Sequence, residues 1–319
     1  MTIKDIGNTL AQIPSVVALA RQLKPRPGST ADCFAARVES LAQRYGDRSA
    51  VVSEGQELSW RQLNGLANRY AKALKGVGMK RGDCTALFME NRVDFLACLI
   101  ALNKLGVITA LINTNLHGKA LGHCLEITEA RWCIFGEERM AAIDEIRLAP
   151  ATDLIKAWIF APDSANEPCP NWATDLAEDS EYETPANPPD TGDCKLQDRA
   201  LYIFTSGTTG LPKAAVMSNR RYLLSAAMSS HGGLRCDIND RIYVCLPLYH
   251  GTGLFLGAGA AFNTGASIFL RRKFSARNFL PEVREYGTTC FLYIGEICRF
   301  LMSSPEAPDD YQSQLTTIK

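Results

Sequence analysis

Residues 204–214 hold the densest set of groups that can do chemistry: Phe204-Thr205-Ser206-Gly207-Thr208-Thr209-Gly210-Leu211-Pro212-Lys213-Ala214. Two glycines three apart allow a tight turn and close backbone approach to a ligand. Hydroxyls at Thr205, Ser206, Thr208 and Thr209 surround them, and Lys213 follows just past a proline. Backbone N–H groups, hydroxyls and one ammonium converging on a loop suit phosphate oxygens. The flanks, Ala200-Leu201-Tyr202-Ile203 and Ala214-Ala215-Val216-Met217, read as short strands. The loop therefore joins strand to strand.

That context excludes two better-known nucleotide loops. The Walker A pattern places four residues between its glycines, follows its lysine with a hydroxyl residue and opens a helix. Here Lys213 is followed by Ala214, and the spacing of Gly207 and Gly210 is too short. The dinucleotide fingerprint G-x-G-x-x-G is absent as well.

The eleven-residue string resembles the signature loop of the adenylate-forming, AMP-binding enzymes, which include acyl-CoA synthetases, luciferases and peptide-synthetase adenylation domains. The resemblance implies a reaction class: a carboxylate attacks the α-phosphate of ATP, giving acyl-AMP and pyrophosphate, and a thiol such as coenzyme A then takes the acyl group. It implies ATP, Mg²⁺ and coenzyme A as cofactors or co-substrates. Carried over by position, Thr205, Ser206, Gly207, Thr208, Thr209, Gly210 and Lys213 are the contacts to the ATP phosphates.

A second constellation, Leu246-Pro247-Leu248-Tyr249-His250, follows an apolar strand. By resemblance, Tyr249 and His250 lie beside the substrate carboxylate, with His250 the catalytic candidate. Gly251, Gly253, Gly257 and Gly259 would permit close packing next to an acyl channel. Asn113-Thr114-Asn115-Leu116 and Tyr293-Ile294-Gly295-Glu296, taken with Leu246–His250, resemble the very-long-chain acyl-CoA synthetase and fatty acid transport protein branch. A long-chain fatty acid is thus the implied substrate. An aryl or amino acid, or nucleotide and acyl binding without turnover, are the alternative readings.

These residues need a scaffold. Helical periodicity marks Ala31–Tyr45, Trp60–Lys75, Val93–Leu105, Lys119–Ile127 and Met140–Arg147. Between them, Ala50–Val52, Cys84–Met89, Val107–Ile112, Trp132–Phe135 and Ala157–Phe160 read as apolar strands. Residues 161–197, rich in proline and acids, read as a surface excursion or linker. Beyond the loop, Ser218-Asn219 can cap a helix to about Ser230. Arg241–Cys245, Ala266–Leu270 and Thr288–Leu292 read as strands, Gly253–Phe262 and Ala276–Tyr286 as helices. Strands alternating with helices predict an α/β protein with mostly parallel sheets. The expected architecture is two stacked, doubly wound lobes, the second incomplete. The expected division is an amphipathic arm over 1–28, a first lobe over 29–185 and a second lobe carrying the phosphate loop over 186–319.

Composition sets the outer limits. The chain has 319 residues, 46% hydrophobic, with 34 basic and 34 acidic residues, so nothing suggests a nucleic-acid surface. Eleven cysteines lie scattered without a C-x-x-C pair, which fits a reducing, cytoplasmic location. No metal site is identified, and His117 and His123-Cys124 read as structural. Leu246–Leu270 is apolar but carries His250, Asn263 and five glycines, so it reads as core, not a membrane span. Ile6, Leu10, Ile13, Val17, Ala20 and Leu23 recur at helical steps. The stripe is read as packing on the body of the protein. The alternative is peripheral membrane contact through residues 6–26, with Arg21, Lys24 and Arg26 near headgroups. A homodimer is left open, since no residue pattern decides the oligomeric state.

Parts of the family pattern have no counterpart among these residues. Tyr286-Gly287-Thr288-Thr289-Cys290 lacks the glutamate of the family's Tyr-Gly-x-Thr-Glu segment, and Thr191-Gly192-Asp193 precedes the loop instead of following it. No C-terminal domain with its adenylation lysine is recognised. The chain is therefore expected to be an amino-terminal portion of a longer enzyme, inactive or impaired on its own.

Overall fold

The computed structural model describes residues 3–164, 167–205, 210–304 and 317–318. The chain opens with α1 (Ile3–Gln22), α2 (Phe34–Tyr45), the hairpin β1 (Ser49–Ser53) and β2 (Gln56–Ser59), and α3 (Trp60–Gly76). Next come β3 (Cys84–Phe88), α4 (Val93–Leu105), β4 (Ile108–Leu111), α5 (Gly118–Ile127), β5 (Trp132–Gly136), α6 (Met140–Ile146) and β6 (Ala157–Ala161). β7 (Ala173–Asp175), α7 (Leu176–Glu181), β8 (Arg199–Thr205), β9 (Lys213–Ser218) and α8 (Asn219–Ala227) follow. The remainder is β10 (Arg241–Val244), α9 (Gly259–Thr264), β11 (Ser267–Leu270), α10 (Ala276–Glu285), β12 (Cys290–Phe291), α11 (Gly295–Met302) and β13 (Thr317–Ile318).

The strands form two sheets, ordered β7-β6-β5-β3-β4-β8-β9 and β13-β12-β10-β11-β1-β2. All pairs are parallel except β8–β9 and β1–β2. The doubly wound α/β expectation holds, and each sheet draws strands from distant parts of the sequence. The phosphate hairpin β8–β9 completes the first sheet through β4, whereas β1 leaves that region of sequence to pair with β11 in the second. Ala50, Val51 and Val52 are buried, as a strand with partners on both sides requires.

Alternating residues of each strand feed different cores. Leu87 and Leu111 of the first sheet share one continuous core with Val51, Ile242 and Ile268 of the second. Ala86, Phe88 and Phe135 face the opposite side, where Leu121 of α5 and Ile143 of α6 cover them. Tyr243, Phe269 and Phe291 likewise pack with Phe279 of α10 on the outer face of the second sheet. The helices α2, α3, α4, α8 and α9 contribute to the central layer. In α4 every residue but Asp94 is buried, which explains its largely apolar sequence.

The proline-rich excursion runs over the surface as a strap held on α3. Asn68 of α3 donates to the Pro185 carbonyl (2.6 Å), Asn64 and Asn68 both donate to Asn187 (2.8 Å each), and Lys75 pairs with Asp190 (2.9 Å). α3 thus presents a polar stripe that satisfies backbone and side chains of the excursion. The amphipathic arm faces opposite to the expected packing: Ile13, Val17, Ala20 and Leu23 are exposed, while Leu19 and Gln22 turn inward. The side chains of Ile6 and Leu10 lie outside the described residues. No helix among the described residues is long and apolar enough to cross a membrane.

Candidate functional site

Ligands of open parallel sheets collect beyond the carboxyl ends of the strands, where the strand order reverses. In the first sheet the chain steps from β3 to β4 on one side and then back to β5 on the other. The loops that leave β3, β4 and β8 therefore open toward one region. Those leaving β10 and β11 reach it from the second sheet.

A cavity of about 450 Å³ lies there, lined by Leu111, Asn113, Leu116, Phe204, Thr205, Gly210, Pro212, Tyr249 and His250. Its walls come from the end of β4, both arms of the phosphate hairpin and the segment after β10. Gly210 has φ +85, a left-handed conformation that glycine adopts without strain. Thr205 pairs directly with Lys213 across the hairpin, so both side chains leave the same sheet face. Lys213 is exposed and has no ion-pair partner among the described residues. It borders an adjoining open depression with His123, Leu211 and Pro212. Ser206, Gly207, Thr208 and Thr209 lie outside the described residues.

Tyr249 and His250 meet this cavity with ring centroids 5.2 Å apart. Burial pushes the Tyr249 phenol above its usual pKa, and a hydrogen bond with Thr114 partly offsets that. Tyr249 also walls a second cavity of about 270 Å³, lined by Glu90, Asn91, Thr114, Asn115, Pro247, Arg272 and Lys273. The Asn113–Leu116 string thus touches both cavities. Arg272 donates to Glu54 (3.0 and 2.8 Å) and to Asp163 (2.6 Å), tying the two sheets together beside the second cavity. Burial alone would raise the Asp163 carboxyl. The Arg272 hydrogen bond and the Arg92 charge hold it below its usual range.

The segment carrying Tyr249 and His250 is fixed by a residue that sequence reading missed. Buried Asn91 donates to the carbonyls of Leu246 (3.0 Å) and Arg271 (3.1 Å) and accepts from the Leu248 N–H (2.8 Å). Asn91 sits in a short polar run, Glu90-Asn91-Arg92, between an apolar strand and a mostly apolar helix, and nothing in that run singles it out. We expect Asn91→Ala to destabilise the protein by about 1–2 kcal/mol, since the loss strands buried backbone groups. Urea unfolding measures this, and a change below a few tenths would deny Asn91 its positioning role.

Gly253 is required for a different reason. A Cβ there would sit 2.4 Å from the Pro247 carbonyl oxygen and 2.5 Å from that of Leu246. The turn and the following helix therefore pack backbone to backbone. The helix anticipated over Gly253–Phe262 begins as a wider π-type turn, Thr252–Ala258, before α9. Ser229 donates to the Leu256 carbonyl within that turn (2.7 Å). His123 lies 3.2 Å from the Pro212 carbonyl through Nε2 and so braces the phosphate hairpin. Among the described residues, no group of three or more His, Cys, Asp or Glu side chains could hold a metal ion.

Comparison with known proteins agrees with this geometry. The chain is 35% identical over 313 residues to the medium/long-chain-fatty-acid–CoA ligase FadD6 of Mycobacterium tuberculosis, covering 97% of this chain and 50% of that protein. It is 37% identical over 275 residues to long-chain fatty acid transport protein 1 of Rattus norvegicus, covering 84% and 41%. The chain thus spans about half the length of the curated relatives it matches. Among solved structures, the N-terminal domain of FACL13 from Mycobacterium tuberculosis superposes with a TM-score of 0.76 at 25% identity, covering 87% of this chain and 68% of that one. The anthranilate CoA ligase AuaEII superposes with a TM-score of 0.81 at 21% identity, over 92% of this chain and 55% of that one, and shares the fold. The model of the AMP-binding enzyme family matches residues 38–319, and the chain belongs to that family.

Proposed function

We propose that these residues form the ATP- and acid-binding part of a fatty acid–CoA ligase acting on long or very long chains. The observation that carries the reading is the 450 Å³ cavity in which the phosphate hairpin meets Tyr249 and His250. In this reading Thr205, Gly210 and Lys213, with Ser206, Gly207, Thr208 and Thr209 between them, hold the β- and γ-phosphates. Tyr249 and His250 flank the α-phosphate and the acid. A carboxylate oxygen attacks the α-phosphorus, the bond to the β-phosphate oxygen breaks, and pyrophosphate leaves with the electron pair. The coenzyme A sulfur then attacks the acyl carbon and AMP departs. Preorganised donors around the phosphates stabilise the charge that builds in the first step. Mg²⁺ would enter with ATP. The described cavity lining offers it no carboxylate ligand, so the residues present do not make its site.

Relatives named as fatty-acid–CoA ligase and long-chain fatty acid transport protein support the substrate class. The test is acid-dependent ATP–pyrophosphate exchange across a panel of acids, read as selectivity and not as absolute rate. We expect long-chain fatty acids to stimulate exchange at least about ten-fold over aryl or amino acids, a difference of roughly 1.4 kcal/mol. Stimulation by an aryl or amino acid alone would assign another carboxylate. Equilibrium binding of nucleotide with no preference for long-chain acids over aryl or amino acids would remove the substrate class.

A further inference from the structure

We infer that the outer face of α1 and the basic cavity at its carboxyl end form a docking site for an anionic lipid bilayer. The two faces of α1 are inverted relative to a helix packed on a core. Its inward side holds Leu19, against Gly232, and Gln22, whose side chain lies 3.2 Å from His231 Nε2. Its outward side holds Ile13, Val16, Val17 and Ala20, with Leu23 beyond, and the larger four are 41–60% exposed. Their three- and four-residue spacing makes one apolar stripe aimed at solvent. A contiguous exposed apolar surface of this kind marks an interaction site.

The charge beside the stripe identifies the partner. A cavity of about 220 Å³ is lined by Arg21, Lys24, Arg26, Arg37 and Arg220 together with Leu223 and Leu224 of α8. Asp32 pairs with Arg26 (2.6 Å) and Arg37 (2.5 Å), and Arg220 donates to the Arg26 carbonyl. Arg21 and Lys24 are exposed and have no ion-pair partner among the described residues. Five cations thus face one carboxylate where the stripe ends. A second copy docked about a two-fold axis would bring identical positive charges together. A free anion would answer the charge and leave the apolar stripe in water. An anionic bilayer answers both, taking the stripe into its interfacial region and setting phosphates against Arg21 and Lys24.

The test is flotation of the full chain with vesicles of phosphatidylcholine alone or with about 30% phosphatidylglycerol. We expect at least ten-fold stronger partitioning into the anionic vesicles, falling steeply with added sodium chloride. The paired substitution Arg21→Glu and Lys24→Glu should remove that preference. Val16→Asp with Val17→Asp should abolish partitioning even at low salt, without shifting the thermal melt. Equal partitioning into both vesicles, or no response to salt, overturns the proposal with the unaltered chain alone. A dimer in light scattering that the valine substitutions dissociate, with no vesicle binding, assigns the stripe to a second copy and also overturns it.

Discussion

Glu39→Ala should lower the unfolding free energy by about 3–5 kcal/mol, the usual cost of stranding one member of a buried ion pair. Lys104 lies in α4, the helix enclosed by the central core, and its side chain is fully buried. Its ammonium contacts Glu39 Oε1 of α2 (2.5 Å), and the Thr191 hydroxyl donates to the same oxygen (2.9 Å). Burial lowers the Lys104 pKa, and Glu39 pulls it back up. Without Glu39 the lowering influence of burial is opposed only by the weaker effects of Cys33 and Cys194. A lysine whose folded pKa lies below its unfolded value binds fewer protons when folded, so stability should rise with pH through that window. The variant should therefore be least stable near neutrality and recover as pH approaches the ordinary lysine range. Adding Lys104→Met should restore more than half of the loss, because an apolar chain of similar length has no charge to strand. Urea unfolding of both variants decides the matter. A loss below about 1 kcal/mol for Glu39→Ala would mean that water reaches Lys104.

How much of this molecule was legible depended on the range of the interaction. Val93–Leu105 was readable because a helical run apolar on nearly every side has one physical solution, enclosure. The β8–β9 hairpin was readable because glycines and strand flanks are local signals. Ser218 caps α8 as its side-chain chemistry implied, accepting from the Arg221 N–H. Strand partners were not readable. Ala50-Val51-Val52 announces a buried strand but says nothing of Ile268 and Phe269, its neighbours more than two hundred residues on. Asn91 was silent because its partners, Leu246, Leu248 and Arg271, lie far along the chain. The stripe of α1 was seen, yet periodicity fixes only that a face exists, not which way it turns. At the site, Tyr249-His250 and the hairpin were paired by resemblance, and they share one cavity. Leu111, Asn113 and Phe204 enter that cavity only through the placement of strand ends.

Lys213→Ala should weaken ATP binding by roughly 10- to 100-fold while AMP affinity changes by less than about three-fold. The asymmetry follows from geometry and charge. Lys213 stands opposite Thr205 in the hairpin register, and Thr205 lines the cavity. In the proposed binding mode the flexible four-carbon stem of Lys213 lets the ammonium reach the phosphates. A hydrogen bond between charged groups contributes about 1.5–3 kcal/mol, the expected range for one lost ammonium–phosphate contact. In the proposed binding mode that contact is to the β- and γ-phosphates, which AMP lacks. Lys213→Arg should keep part of the affinity, since the charge stays but the guanidinium is planar and larger. Raising the ionic strength should narrow the difference between the unaltered protein and the alanine variant, because Lys213 is exposed. Isothermal titration calorimetry with both nucleotides separates the outcomes. Unchanged ATP affinity would remove Lys213 from the phosphate site. An equal loss for ATP and AMP would place its contact at the α-phosphate, on the side of the cavity that Tyr249 and His250 occupy.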